Sequence, residues 1–202
     1  MYAQAYADRV RGILISGVWL AEQGSIDWSF QGTSGVANLV PDVLEKREAF
    51  FQRYNTNAKD APRVLSDLLE TGDLEEQKAI AAGVMNWELN LFSPNSPISF
   101  MRPEDVDENA LTYVKIFLHY EKNDFFIQDD QILNNVDTIK DVPCVMVHGR
   151  YDVVCPMKYP HQLKNAMNKA ELFIASESGH KLSVEGEEIR RISYLRFLEQ
   201  NV

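Results

Sequence analysis

The sequence is short of positive charge. Twenty Lys and Arg stand against thirty Asp and Glu, giving a formal net charge of −10 at pH 7. Neutralising a phosphate backbone takes clustered cations, so a nucleic-acid surface is not expected. Long apolar runs are missing as well: nothing approaches the roughly 18 consecutive apolar residues of a membrane span. The first residues, Met1 to Arg11, lack the basic-then-apolar layout of a secretory signal. There are only two cysteines, Cys144 and Cys155, at opposite ends of a strand-to-loop passage. They point apart and read as reduced thiols, and the expected location is cytoplasmic. No His/Cys pairs stand at ligand spacing, so neither a metal nor an organic cofactor is implied.

What remains is ordinary in bulk: 202 residues, 45% hydrophobic and 25% charged. That suits one soluble domain, or one domain carrying an insertion. Met1–Asp8 reads as the end of a helix. Gly12–Leu20 is a short apolar run bounded by glycine, which predicts a strand buried on both faces in a parallel sheet. From Ile26 to about Asn135 the pattern is helical, with Pro41 and Pro62 suited to first turns and Asn95-Ser96-Pro97 as a break. After Pro143 the character changes to strand, helix, strand, helix over Cys144–His148, Met157–Asn168, Glu171–Ala175 and Glu187–Glu199. Pro160 fits the first of those helices only within its opening turn. The predicted organisation is sheet core over 1–25, an all-helical lid over 26–135, and sheet core again over 136–202.

Chemistry concentrates at the two late strands. The run Cys144–His148 ends in Gly149 and then presents Asp152; the next strand ends in a loop that presents Gly179-His180. Parallel strands deliver functional groups at their carboxyl ends. An Asp followed by a His from successive strands is the last part of a Ser-His-Asp triad in the order used by α/β-hydrolases. The fold class is therefore expected to be α/β, the C-terminal part of an α/β-hydrolase parallel sheet of about three strands with an inserted helical lid. The Gly-x-Ser-x-Gly elbow that should supply the nucleophile occurs nowhere in the sequence. Gly32-Thr33-Ser34-Gly35 has the wrong glycine spacing, and Ser16 has no following helix to build a turn. His148 reads as a packing residue and His161 as a solvated one.

At Gly149-Arg150-Tyr151-Asp152-Val153-Val154-Cys155-Pro156 and Gly179-His180 the chain resembles the proline iminopeptidase family of α/β-hydrolases. Tyr2-Ala3-Gln4 with Asp8-Arg9-Val10, the run Arg11–Leu20, Trp87-Glu88, and His119-Tyr120 with Asn123, Phe125 and Phe126 resemble further family motifs in the same order. The resemblance implies a serine aminopeptidase that releases an N-terminal proline or small residue from short peptides, amides or esters. It implies Asp152 and His180 as catalytic residues, with the nucleophile segment just upstream of Met1. Without that segment residues 1–202 are expected to be inactive alone.

The resemblance also implies a substrate pocket. Glu88, beside Trp87, is the carboxylate that receives the substrate's free amino group. His119 and Tyr120 belong to a lid motif, with His119 split between packing and pocket lining. The family's second pocket glutamate falls at Phe117 here, which halves the anionic pocket. Two other readings stay open: a catalytically dead fragment whose lid is a binding surface, and a related hydrolase of esters, lactones or epoxides. Finally, strand 12–19 lacks the neighbour a full sheet would give it, so self-association through that exposed edge is expected.

Overall fold

The computed structural model describes residues 1–31, 35–92 and 96–201. Gly32, Thr33 and Ser34 of the Gly/Ser loop lie outside those residues, as does Asn95 of the predicted break. The chain divides into two compact units. A sheet unit comprises 1–25, 92–94 and 129–202; a helical unit comprises 26–91 and 95–128.

In the sheet unit a short helix α1 (Tyr2–Ala5) precedes strand β1 (Ile13–Ser16). A one-turn helix α2 (Gln23–Ile26) follows, and its last residue opens the helical unit. The helical unit contributes α3 (Pro41–Arg53), α4 (Ala61–Thr71), α5 (Leu74–Phe92, whose last residue groups with the sheet unit) and α6 (Glu108–Glu121). The chain then returns through α7 (Gln131–Asn134) to β2 (Cys144–Gly149), α8 (Lys158–Ala166), β3 (Ala170–Ala175) and α9 (Val184–Asn201). Pro160 is the third residue of α8, inside its opening turn.

The sheet is parallel in the order β1-β2-β3, with Ile13 opposite Cys144 and Cys144 opposite Ala170. All six residues of β2 are buried, as its unbroken apolar run requires of a central strand. Alternation sorts the faces. Ile13 and Ile15, Cys144 and Met146, and Ala170 and Leu172 share one face, packed with Tyr159 and Leu163 of α8. Helix α9 packs on β2 and β3, with Phe197 buried. β1 is not buried on both faces as the sequence predicts. Ile13, Leu14 and Ile15 are half-buried and Ser16 is exposed, because β1 is the sheet's edge strand. Residues 129–135 also group with the sheet rather than with the helices, since Ile132, Leu133 and Val136 pack against the same apolar cluster as β2.

The helical unit has its own core. Ala61, Leu65 and Leu69 recur every fourth residue along α4 and meet Val114 and Leu118 of α6 and Ile80 to Ala82 of α5. α5 buries more than one stripe: Trp87 continues the line of Ile80, while Glu88 lies seven residues beyond Ala81 on the same side. No described helix is long and apolar enough to cross a membrane.

Candidate functional site

β2 ends in a tight turn that aims Asp152 at the end of β3. Arg150 N donates to Ala175 O and Tyr151 N to Ser178 O, both at 2.9 Å, so the two strand ends are tied together by backbone. Gly149 is there because no side chain fits. A Cβ would lie 2.1 Å from Gly179 O and 2.6 Å from Ser178 O. That close approach brings His180 over Asp152.

Asp152 is buried and fully engaged. Its Oδ1 accepts from Val154 N at 3.0 Å and Cys155 N at 2.7 Å. Its Oδ2 lies 3.0 Å from His180 Nδ1 and 3.4 Å from His148 Nε2. The first contact is an Nδ1–H donation, which fixes one tautomer and leaves His180 Nε2 as a proton acceptor. The His180 side chain is 29% exposed. One face of its ring stacks on Phe92, part of the sheet unit, with centroids 5.0 Å apart. Gly17, at φ +62°, passes beneath the ring; a Cβ there would sit 3.3 Å from Cε1.

His148 is structural. Val18 N donates to its Nδ1 at 3.1 Å, so Nε2 carries the proton and donates to Cys155 O at 2.7 Å. Burial holds this imidazole below the usual histidine range, against the opposing pull of Asp152. Both cysteines are free and buried. Burial pushes the Cys144 thiol up to about 11 and the Cys155 thiol higher still. Asp152, Cys155 and His180 place one donor each within 4.8 Å of one another. A thiol that stays protonated and a carboxylate oxygen committed to two backbone N–H groups make this a hydrogen-bonded pair rather than a cation site.

The helical unit holds a second constellation. Arg47 of α3, Trp87 and Glu88 of α5, and Phe117 and Glu121 of α6 line a cavity of about 30 Å³. Trp87 is buried and donates from Nε1 to Ser29 O at 2.7 Å. Glu88 accepts from Tyr113 Oη at 2.8 Å. The Arg47 guanidinium lies 4.3 Å over the Trp87 ring and 4.9 Å over the Phe51 ring, and donates to Phe30 O. His119 and Tyr120 turn elsewhere on α6, forming an aromatic group with Phe126 at ring distances of 5.5 Å. Phe125, at φ +53°, sits near the rings of Phe30 and Phe117 in a conformation costly for a non-glycine residue.

Residues 127–200 match a protein-family model described as "TAP-like protein". The chain is 31% identical over 186 residues to the proline iminopeptidase of Arabidopsis thaliana, covering 92% of this chain and 48% of that one. It is 31% identical over 183 residues to the proline iminopeptidase of Neisseria gonorrhoeae, covering 89% and 56%. The chain is a relative of the proline iminopeptidases. It spans about half the length of the curated relatives it matches. An α/β fold family hydrolase from Bacillus anthracis str. Sterne aligns over the whole chain and 62% of its own length, at 17% identity and a TM-score of 0.47.

Of the residues singled out in the sequence, the structure brings Asp152 to His180, and Glu88 to Trp87 and Phe117. His119 and Tyr120 are not in the cavity lining among the described residues. Arg47, Tyr113 and Glu121 went unrecognised. A signal existed for Glu121: it stands four residues after Phe117 on one helix, hence on the same face. Arg47 on a charged surface helix offered none.

Proposed function

We propose that this chain supplies the acid–base half of a serine aminopeptidase that releases an N-terminal proline or small residue from peptides, amides or esters. The observation that carries it is the single-tautomer pair of His180 Nδ1 and Asp152 Oδ2 at 3.0 Å, backed by two backbone donors on the other carboxylate oxygen. His180 Nε2 takes the proton of a serine hydroxyl as its oxygen bonds to the substrate carbonyl carbon. Asp152 stabilises the imidazolium that results. The same proton then passes to the leaving amine as the C–N bond breaks, leaving an acyl-serine. Water repeats the sequence, giving its proton to Nε2, and the serine is restored. Glu88 receives the substrate's free amino group, which selects N-terminal residues by charge.

The nucleophile must be a serine presented to Nε2, and the sequence contains no Gly-x-Ser-x-Gly elbow. Residues 1–202 by themselves are therefore expected to be inactive on prolyl-β-naphthylamide and p-nitrophenyl acetate. The test uses the natural gene product that carries these residues. It should hydrolyse prolyl-β-naphthylamide and lose that activity in H180A. Activity on esters with none on aminoacyl amides would instead support an esterase. Inactivity of that product toward every substrate would support a binding role.

A further inference from the structure

Among the described residues, the lining of the cavity in the helical unit carries more buried carboxylates than cations. Two carboxylates line it, Glu88 and Glu121, 6% and 7% exposed, against one guanidinium. Glu88 has the Tyr113 hydroxyl. Arg47 spends its ring faces on Trp87 and Phe51 and a donor on Phe30 O. Among the described residues Glu121 has no hydrogen-bond or ion-pair partner, although it is more than nine-tenths buried and lines the cavity. A buried carboxylate without a donor is costly, and structures retain such a group where something else completes it.

The room available limits what that is. A cavity of about 30 Å³ holds a water or two. It therefore admits a head group of that size and not a whole side chain. A compact cation with several N–H donors meets both requirements, the missing charge and the missing hydrogen bonds. Apolar walls from Phe30, Phe117 and Trp87 suit the carbon that bears it.

We propose that Glu121, together with Glu88, binds the ammonium group of an amine ligand in this cavity, Glu121 supplying the second carboxylate that position 117 does not. This rests on the aminopeptidase reading in naming the ligand as an N-terminal residue, and adds Glu121 as a specificity-determining residue. It revises the half-anionic pocket expected from Phe117: the second acid stands one helical turn further on. Burial raises Glu121 to about 7, against the pull of Arg47 and with the push of Glu88. An arriving ammonium stabilises the ionised form, so binding releases a proton below neutral pH. The charged groups acting on Glu121 are Arg47 of α3 and Glu88 of α5; behind them Glu48 acts on Arg47 and Tyr113 bonds Glu88.

The test is direct binding, which does not depend on hydrolysis. L-Alaninamide and isobutyramide differ by an ammonium in place of a methyl group. Calorimetry at pH 8 in amine-free buffer should show the gene product binding L-alaninamide and not isobutyramide, with potassium chloride failing to compete. E121Q should weaken L-alaninamide about ten- to a hundredfold, the range of a charge-assisted hydrogen bond. Adding F117E to E121Q should restore binding, since Phe117 lines the same cavity one turn away. A merely structural Glu121 would lower the melting temperature when changed to Gln and leave the alaninamide preference unmoved; that result overturns the proposal. Binding without hydrolysis would sink the aminopeptidase reading alone, whereas hydrolysis indifferent to E121Q would sink this one alone.

Discussion

Each unit buries a carboxylate, and the two are treated in opposite ways. In the sheet unit Asp152 accepts from Val154 N and Cys155 N on one oxygen and from His180 on the other, so each oxygen has a donor. In the helical unit Glu121 is buried as deeply and has no donor among the described residues. The first carboxylate is finished and serves to hold something else in place. The second is unfinished, and its deficit is a description of a ligand. Burial alone therefore does not mark a functional acid; the state of its hydrogen bonds distinguishes a positioning role from a binding one.

The sharpest way to break this contrast is to spoil the finished carboxylate. D152N keeps a carbonyl oxygen for the two backbone donors, so the fold should survive. The amide nitrogen would then point at His180 as a donor, forcing Nδ1 to accept and Nε2 to carry the proton. An imidazole in that tautomer cannot act as the base. Catalysis by the gene product should fall by a factor on the order of 10⁴ with the melting temperature little changed. A loss below tenfold would mean that Asp152 does not set the tautomer.

The unfinished carboxylate should respond in stability instead. Unfolded, Glu121 titrates near its ordinary 4.5; folded, burial lifts it to about 7. A raised carboxyl favours the fold while protonated, so its cost is absent below pH 4.5, grows through the interval and is complete above pH 7. The interval corresponds to about 3 kcal/mol. E121Q should then stabilise the protein by up to about that amount at pH 8 and by nothing at pH 4. Urea melts at the two pH values check this; equal effects at both would show that Glu121 is not strained by burial.

How much of this was legible depended on range. Asp152 and His180 could be read because each follows a strand with a local signature, an apolar run and then a glycine turn. The parallel sheet was legible for the same reason, in the six buried residues of β2. The half-burial of β1 was not, because an apolar run reads alike in a central and an edge strand. The Arg47–Glu88–Glu121 cavity was hidden more deeply. Its members come from three helices, and helical periodicity marks a charged residue as outward-facing unless tertiary packing overrides it.

A smaller effect tests the geometry that completes the sheet-unit site. G149A places a methyl group against Gly179 O and Ser178 O, both backbone atoms that cannot swing aside. The loop bearing His180 must move, at about 2 kcal/mol for an overpacked contact. The Nδ1–H proton resonance of His180 should shift or broaden. An unchanged resonance would show that the loop absorbs the methyl group away from His180.

The smallest expected effect separates holding a loop from holding a helix. Ser183 caps α9: its Oγ accepts from Gly186 N at 3.2 Å, while its own N–H donates to Ser178 Oγ at 3.0 Å. The two hydroxyls also meet at 3.0 Å, closing the loop that carries Gly179 and His180. In the helical unit Asp107 caps α6 in the simpler way, its Oδ1 accepting from Ala110 N at 2.7 Å. S183A and D107A each remove one cap and should each cost about 1 kcal/mol. S183A removes one of the contacts that close the His180 loop, although the Ser183 N–H still reaches Ser178. A modest weakening of the His180–Asp152 hydrogen bond follows, seen as an upfield move of the Nδ1–H resonance. If S183A lowers the melting temperature as D107A does and leaves that resonance in place, the Ser178–Ser183 contact serves the helix alone, and His180 is held by Asp152, Gly149 and the stacked Phe92 without it.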